Sequence, residues 1–263
     1  MTTKISHLNY EIAGEGETII LGHAGFVDSR MWDAQWTAFT AKYRVLRFDM
    51  QGYGKSDIAT QPISRSEELL ALIESLGIEK AHLIGSSLSG AAYIDIALTH
   101  PEKVASLTVV NAVPNGFKME GEPPRYMMEM FGAMQQGDIN NASELQIRIW
   151  IDGMYREPDE VNRDVRQKAS EMNKIAVQNG TFFVADSQPV NPLSPPAIVR
   201  LHEIQCPTLV IDSALDHPVL AEVADIMTNQ IPNATHKTIE GAAHLPNMEK
   251  PEEFNQIVLD FLG

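Results

Sequence analysis

Apolar residues along this chain fall into short blocks closed by Gly, Pro, Asn or Asp, and between the blocks lie longer stretches with apolar residues at helical spacing. Lys4 to Ile12 reads as a strand ended by the turn cluster AGEGE, and Thr18 to Leu21 as a second strand, together an opening hairpin. Beyond them YRVLRFD reads as strand, Ser64 to Leu76 as helix, AHLIG as strand, Leu88 to Thr99 as helix and VASLTVVN as strand. After an interruption come the strand PTLVID, the helix Val219 to Asn229, the strand THKTIE and a last helix that starts at Pro251. Proline suits a first helical turn because its missing N–H has no partner to lose there. Strands alternating with helices need crossover connections, so the expected architecture is α/β with a mainly parallel sheet.

The interruption runs from about Pro114 to Cys206 and is rich in Met and helix formers, with no strand pattern. It reads as a helical insertion into a single core. At 263 residues and 44% apolar content, the chain is long enough for one large core. Its net charge of -15 repels polyphosphate and anionic lipid, so neither nucleic acid nor membrane is an expected partner. The single cysteine, Cys206, has no partner for an intramolecular disulfide, and no apolar run reaches the length of a membrane span. The expected location is cytoplasmic.

Candidate chemistry starts at HLIGSSLSGAAY, where Ser86, Ser87 and Ser89 crowd the junction of a strand and a helix. A nucleophile held at such a turn needs small residues two places before and after it. Ser87 has Gly85 and Ser89, whereas Ser86 has Ile84 and Leu88, and Ser89 lies past the strand end. A serine hydroxyl also needs a base, and the base a group that fixes its tautomer. Asp216 in the loop after PTLVID and His244 in GAAHLPNMEK supply both, in the order serine, acid, histidine, at the carboxyl ends of strands where open parallel sheets bind ligands. Asp212 reads as part of its strand, His236 lies in a strand-like run, and His217 lacks a place on the later loop. The strand after Ser87 ends in Asn111, which offers no carboxylate. Two N–H donors are needed for the oxyanion: Leu88, at the start of the helix, and Gly25, in the loop HAGF. His23 reads as a structural hydrogen-bonding residue.

In chain order, HAGF, FDMQGYGKSD, GSSLSG, DSALD and GAAHLPNMEKPEEF resemble the oxyanion loop, the D-x-R-G-x-G-x-S segment, the nucleophile elbow, the acid loop and the histidine region of the α/β-hydrolase superfamily. The likeness covers essentially the whole chain and is greatest to small bacterial esterases and lactonases of the 3-oxoadipate enol-lactonase type. Ala24, Ser89 and Ser213 stand where glycines are usual and Gln51 where arginine is, but no triad position departs. The resemblance implies an eight-stranded, mainly parallel sheet, with residues 1–112 and 197–263 as the core and 113–196 as a helical cap. It also implies a serine hydrolase with no cofactor and no metal, acting on a small ester or lactone as a monomer or homodimer. Phe26, Met130, Trp150 and Leu245 are expected in the substrate pocket, with Met119, Met127, Met128, Met134 and Met154 forming either a deformable apolar wall or plain helix core. Arg125 and Arg148 read either as holders of a substrate carboxylate or as a solvated helix face. The same triad serves carbon–carbon hydrolases, perhydrolases and slow-turnover sensors that act through a protein partner, and these alternatives stay open.

Overall fold

The computed structural model describes residues 2–5, 7–120 and 122–263; Met1, Ser6 and Gly121, which fall in the expected core, first strand and insertion, lie outside the described residues. The strands are β1 (Thr2–Ile5), β2 (Leu8–Ala13), β3 (Thr18–Gly22), β4 (Arg44–Asp49), β5 (Ala81–Ser86), β6 (Val104–Val110), β7 (Thr208–Ser213) and β8 (Ala234–Ile239). The helices are α1 (Asp33–Thr40), α2 (Arg65–Ser75), α3 (Leu88–Thr99), α4 (Met127–Gln135), α5 (Ile139–Ile147), α6 (Arg163–Gln178), α7 (Thr181–Val184), α8 (Val219–Gln230), α9 (Pro246–Glu249) and α10 (Pro251–Leu262). Among the described residues the strands form one eight-stranded sheet in the order β1-β2-β4-β3-β5-β6-β7-β8. β2 runs antiparallel to β1 and β4, and every other pairing is parallel, as the alternating pattern predicts.

The inner strands are covered on both faces, which is why they read as unbroken apolar runs. β3 is buried at all five positions. Ile20 packs with Leu46, Leu83 and Val210 under α2, α3 and α8, while Ile19 and Leu21 pack with Val45, Ile84 and Ile211 on the α1 and α10 side. This is the twofold alternation of a pleated strand.

The expected opening hairpin is corrected by the pairing. Lys4 to Ile12 holds two strands, β1 and β2, paired with each other, and β2 then pairs with β4 rather than β3. The cause is burial: β3 is buried at every position and belongs inside the sheet, while β2 is buried only at Leu8 and Tyr10 and half-buried elsewhere. Helix α1 escapes the sequence pattern because WDAQWTAFT carries Trp, Thr and Phe, which favour helix weakly; burial of Gln35 and Phe39 outweighs that preference. Ser64 caps α2 by accepting from the Glu67 N–H, and α3 spans the residues expected for it.

Between β6 and β7 the described residues contain α4 to α7, a π-helical turn at Arg148–Asp152 and short turns, with no strand. No helix among the described residues is long and apolar enough to cross a membrane.

Helix α3 lies unusually close to the sheet. A Cβ at Gly90 would stand 2.5 Å from the Ala112 side chain and 2.9 Å from the Gly85 carbonyl oxygen. Gly90→Ala is therefore expected to lower stability by roughly 1–3 kcal/mol through overpacking, measured by urea unfolding. On the same helix Asp95 accepts from Asn115 Nδ2 at 2.7 Å through one oxygen, while the other is buried without a partner. Burial raises its pKa to about 6. The folded state thus holds this proton more tightly than the unfolded chain, a contribution that favours folding at low pH and is lost as pH rises through 6. Asp95→Asn is expected to be about 2 kcal/mol more stable than the parent near pH 8, with the difference closing toward about pH 4, in unfolding curves taken at both.

Candidate active site

Parallel order brings the carboxyl ends of β3, β5, β6, β7 and β8 side by side, and the chain leaves each of them through a loop that faces one region. Ser87 stands between β5 and α3 with φ 52° and ψ -112°. A residue with a Cβ is strained there, by about 1–3 kcal/mol. The strain is held from both sides: the Ser87 N–H donates to the Val110 carbonyl at 2.8 Å, and its carbonyl accepts from the Ala91 N–H at 3.0 Å. Ser86 and Ser89 are both buried, and the Ser89 hydroxyl donates to the Ser86 carbonyl while accepting from the Ser86 N–H, each at 3.0 Å. Ser89 fills space left by Gly22, where a Cβ would come within 2.6 Å of it. Of the three serines, Ser87 lines the cavities beneath the insertion.

His244 Nδ1 donates to Asp216 Oδ2 at 2.5 Å, and Asp216 Oδ1 accepts from the His217 N–H at 2.8 Å. Both side chains are buried. With the proton on Nδ1, Nε2 is left as the basic nitrogen. The histidine loop is tied down closely. Asn111 Nδ2 donates to the carbonyls of Ala243 and His244 at 3.3 and 3.1 Å and to Ser213 Oγ at 2.9 Å. Glu249 accepts from the Ala243 N–H at 2.7 Å and pairs with Arg156 at 2.7 Å. The Trp150 carbonyl accepts from the His244 N–H at 3.1 Å, with the indole 4.9 Å from the imidazole. Asn111, set aside at the level of sequence for lacking a carboxylate, thus serves this loop as a donor.

The rival pair Asp212 and His236 is joined at 2.8 Å but lines a separate depression that does not include Ser87. His23 is fully buried; burial lowers its pKa, its Nδ1 donates to the Ala24 carbonyl at 2.9 Å and its Nε2 accepts from the Met50 N–H at 2.9 Å. It is neutral and structural. Gly25 and Leu88 meet beside Ser87: a Cβ on Gly25 would be 3.0 Å from Leu88 Cδ2.

Two cavities share Ser87, His244, Trp150, Phe131 and Met127. The narrower, about 220 Å³, is bounded also by Gly25, Phe26, Tyr53, Met130, Met134 and Gln146; the wider, about 610 Å³, by Leu88, Asn111, Met119, Glu120, Glu122 and His217. Phe26, Met130 and Trp150, expected in the substrate pocket, line the narrower cavity, and Trp150 the wider one as well. Leu245 borders neither cavity, because its side chain, at the N-cap of α9, is fully buried in the core cluster that includes Trp32 and Phe254. Met128 is 71% exposed and Met154 lines neither cavity, so the methionine wall is made by Met119, Met127, Met130 and Met134. Arg125 and Arg148 are occupied by Glu157, and Arg148 also by Asp152, so neither faces the cavities. Tyr53 and Gln146 were invisible as cavity residues because only the tertiary fold brings them there.

Residues 19–257 match the model of the Alpha/beta hydrolase family. The chain belongs to that family. A 2-hydroxy-6-oxononadienedioate/2-hydroxy-6-oxononatrienedioate hydrolase of Paraburkholderia phymatum is 29% identical over 97% of this chain and 91% of its own length. A pimeloyl-[acyl-carrier protein] methyl ester esterase of Aeromonas hydrophila is 25% identical over 97% of this chain and 99% of its own. The crystal structure of the enol-lactonase from Burkholderia xenovorans superposes with a TM-score of 0.75, at 22% identity, over 97% of this chain and 96% of that one. This α/β hydrolase is an enzyme, and the proteins it is similar to include a dienedioate hydrolase, a methyl ester esterase and an enol-lactonase.

The strain at Ser87 has a consequence that needs no substrate. Ser87→Gly is expected to raise stability by about 1 kcal/mol in urea unfolding, since glycine adopts φ 52° freely; an unchanged midpoint would mean that the turn carries no strain.

Proposed function

We propose that this hydrolase is a cofactor-free serine enzyme that cleaves an uncharged carboxylic ester or lactone, with residues 113–196 as a cap over the core formed by 1–112 and 197–263. The observation that carries the reading is a strained Ser87 opening on the same cavities as a His244 that is already paired with Asp216. In this reading Ser87 Oγ attacks the substrate carbonyl as His244 Nε2 takes its proton, and Asp216 holds the imidazole in the tautomer that leaves Nε2 free. The negative charge that develops on the carbonyl oxygen falls to the N–H groups of Leu88, at the positive end of α3, and Gly25. Such donors contribute on the order of 2.7–4 kcal/mol each to the transition state. His244 returns the proton to the leaving oxygen, and water then clears the acyl-enzyme by the same route reversed.

The cavity walls select the substrate's charge. The described residues lining the two cavities include no Lys or Arg, while Glu120 and Glu122 border the wider one. A carboxylate placed there would be desolvated with no counter-charge. The Paraburkholderia relative is named for dioates, which carry two carboxylates; the lining here favours a neutral ester over such a compound. The reading includes a cytoplasmic setting, in line with a single cysteine that has no partner for an intramolecular disulfide.

Steady-state assays with short-chain p-nitrophenyl esters and simple lactones test the reading. Sustained turnover by the parent, a loss on the order of a million-fold in Ser87→Ala and about 10⁴-fold in Asp216→Asn are expected. An ester tailed with a carboxylate should be hydrolysed far more slowly than its neutral isostere. Turnover that survives Ser87→Ala, or a preference for the charged ester, would overturn it, and a single stoichiometric release would point to the sensor class.

A further inference from the structure

The loop that carries Gly25 has each of its carbonyls held by a separate side chain. The Ala24 oxygen accepts from His23 Nδ1 at 2.9 Å, the Gly25 oxygen from the Tyr53 hydroxyl at 2.8 Å, and the Phe26 oxygen from Asn173 Nδ2 at 2.9 Å. A peptide is planar, so fixing a carbonyl fixes the N–H across the same bond. The Gly25 N–H shares its plane with the Ala24 carbonyl. The plane on the other side of Gly25 is the one that Tyr53 holds. Glycine has the widest backbone freedom of any residue, and pinning both flanking planes supplies the constraint that its missing side chain does not.

Two of these holders are tied to the helical insertion. Asn173, on α6, is fully buried and also donates to Gln146 Oε1 at 2.7 Å. Tyr53 belongs to the core, but its hydroxyl lies 2.7 Å from Asp186 Oδ2, in the segment after α7. Its one proton is thus shared between two acceptors. Arg65 grips Asp186 through Nε at 2.8 Å and Nη2 at 3.1 Å, a two-point fork that sets the carboxylate's orientation. Tyr53, Arg65 and the Arg65 partner Glu68 are all buried. Nearby, Asn179 and Thr181 donate to the Gly52 carbonyl at 3.0 and 2.6 Å, and the Ile63 N–H donates to Ala185 at 3.0 Å. The insertion is therefore anchored at the turn that presents Tyr53.

We propose that Tyr53, steadied by Asp186 and Arg65, and Asn173 are positioning residues that aim the Gly25 N–H at the reacting carbonyl, so that the insertion is part of the oxyanion machinery as well as a wall of the cavity. The proposal rests on the reading of Ser87 as nucleophile and Gly25 as donor. It predicts an effect confined to the transition state, because the substrate's neutral carbonyl asks little of the N–H and the oxyanion asks much.

Tyr53→Phe removes the hydroxyl and keeps the ring packed edge-on against His23, 5.0 Å between centroids. The expected result is a fall in kcat of about ten- to a hundredfold with KM unchanged, a loss in the range below that for deleting a donor outright. Affinity for a trifluoromethyl ketone, which adds to a catalytic serine as an oxyanion, should fall by the same factor, while a carboxamide that mimics the ground state binds as before. Asn173→Ala should repeat the pattern, and serves if Tyr53→Phe fails to fold. Ketone affinity within twofold of the parent in either folded variant, or a rise in KM that accounts for the whole loss, overturns the proposal and leaves the hydrolase reading intact. A parent protein that neither turns over esters nor adds the ketone overturns that reading, and this one with it.

Discussion

A methyl group on Gly90 would come within 2.5 Å of Ala112, and that near contact between α3 and the sheet is what the rest of the site depends on. Because α3 can descend so close to β5, the chain between them must reverse within a single residue, and Ser87 takes the strained conformation. The cost of that conformation is spread over the hydrogen bonds to Val110 and Ala91 and over two packed core faces. A looser helix would let Ser87 relax into the ordinary helical region and give up the strained turn.

The remaining groups reach Ser87 because the sheet is parallel where it matters. Six adjacent strands, β4, β3 and β5 to β8, end on one edge, so residues far apart in the chain converge there without any one loop having to be long. Polar groups then fix what strand geometry leaves free. Asn111 and Glu249 hold the His244 loop; His23, Tyr53 and Asn173 hold the loop at Gly25. These side chains are buried, where an amide or phenol that loses its partner costs on the order of 1–3 kcal/mol. The contacts that aim the loops are thus also contacts the fold cannot easily surrender.

Charge is distributed in a related way. The chain carries -15 overall, yet the cavities at Ser87 are mostly apolar and their arginine neighbours are spent on internal pairs: Arg65 with Asp186, Arg148 with Glu157 and Asp152, Arg156 with Glu249. Each pair closes a seam within the insertion or between it and the core. Methionine and aromatic side chains supply much of the lining, and no Lys or Arg stands among the described lining residues to meet an anion.

Much of this was legible along the chain. The alternation of apolar runs and helical stretches determined the α/β architecture, because strands buried on both faces must be continuously apolar and can be linked in parallel only by crossovers. The small residues around Ser87 and the order of Asp216 and His244 picked out the same three side chains that the fold draws toward one edge. Strand order was not legible: β2 beside β4 rather than β3 is a choice between surfaces of similar polarity, settled by how deeply each strand is buried. Nor were α1, the departure of Leu245 from the cavity, or the holders Tyr53, Asn111 and Asn173. A strand or a turn is written in neighbouring residues, within reach of one another before folding. A hydrogen bond such as Asn173 to Phe26 joins positions 147 residues apart, and only the packed structure brings its two ends within reach.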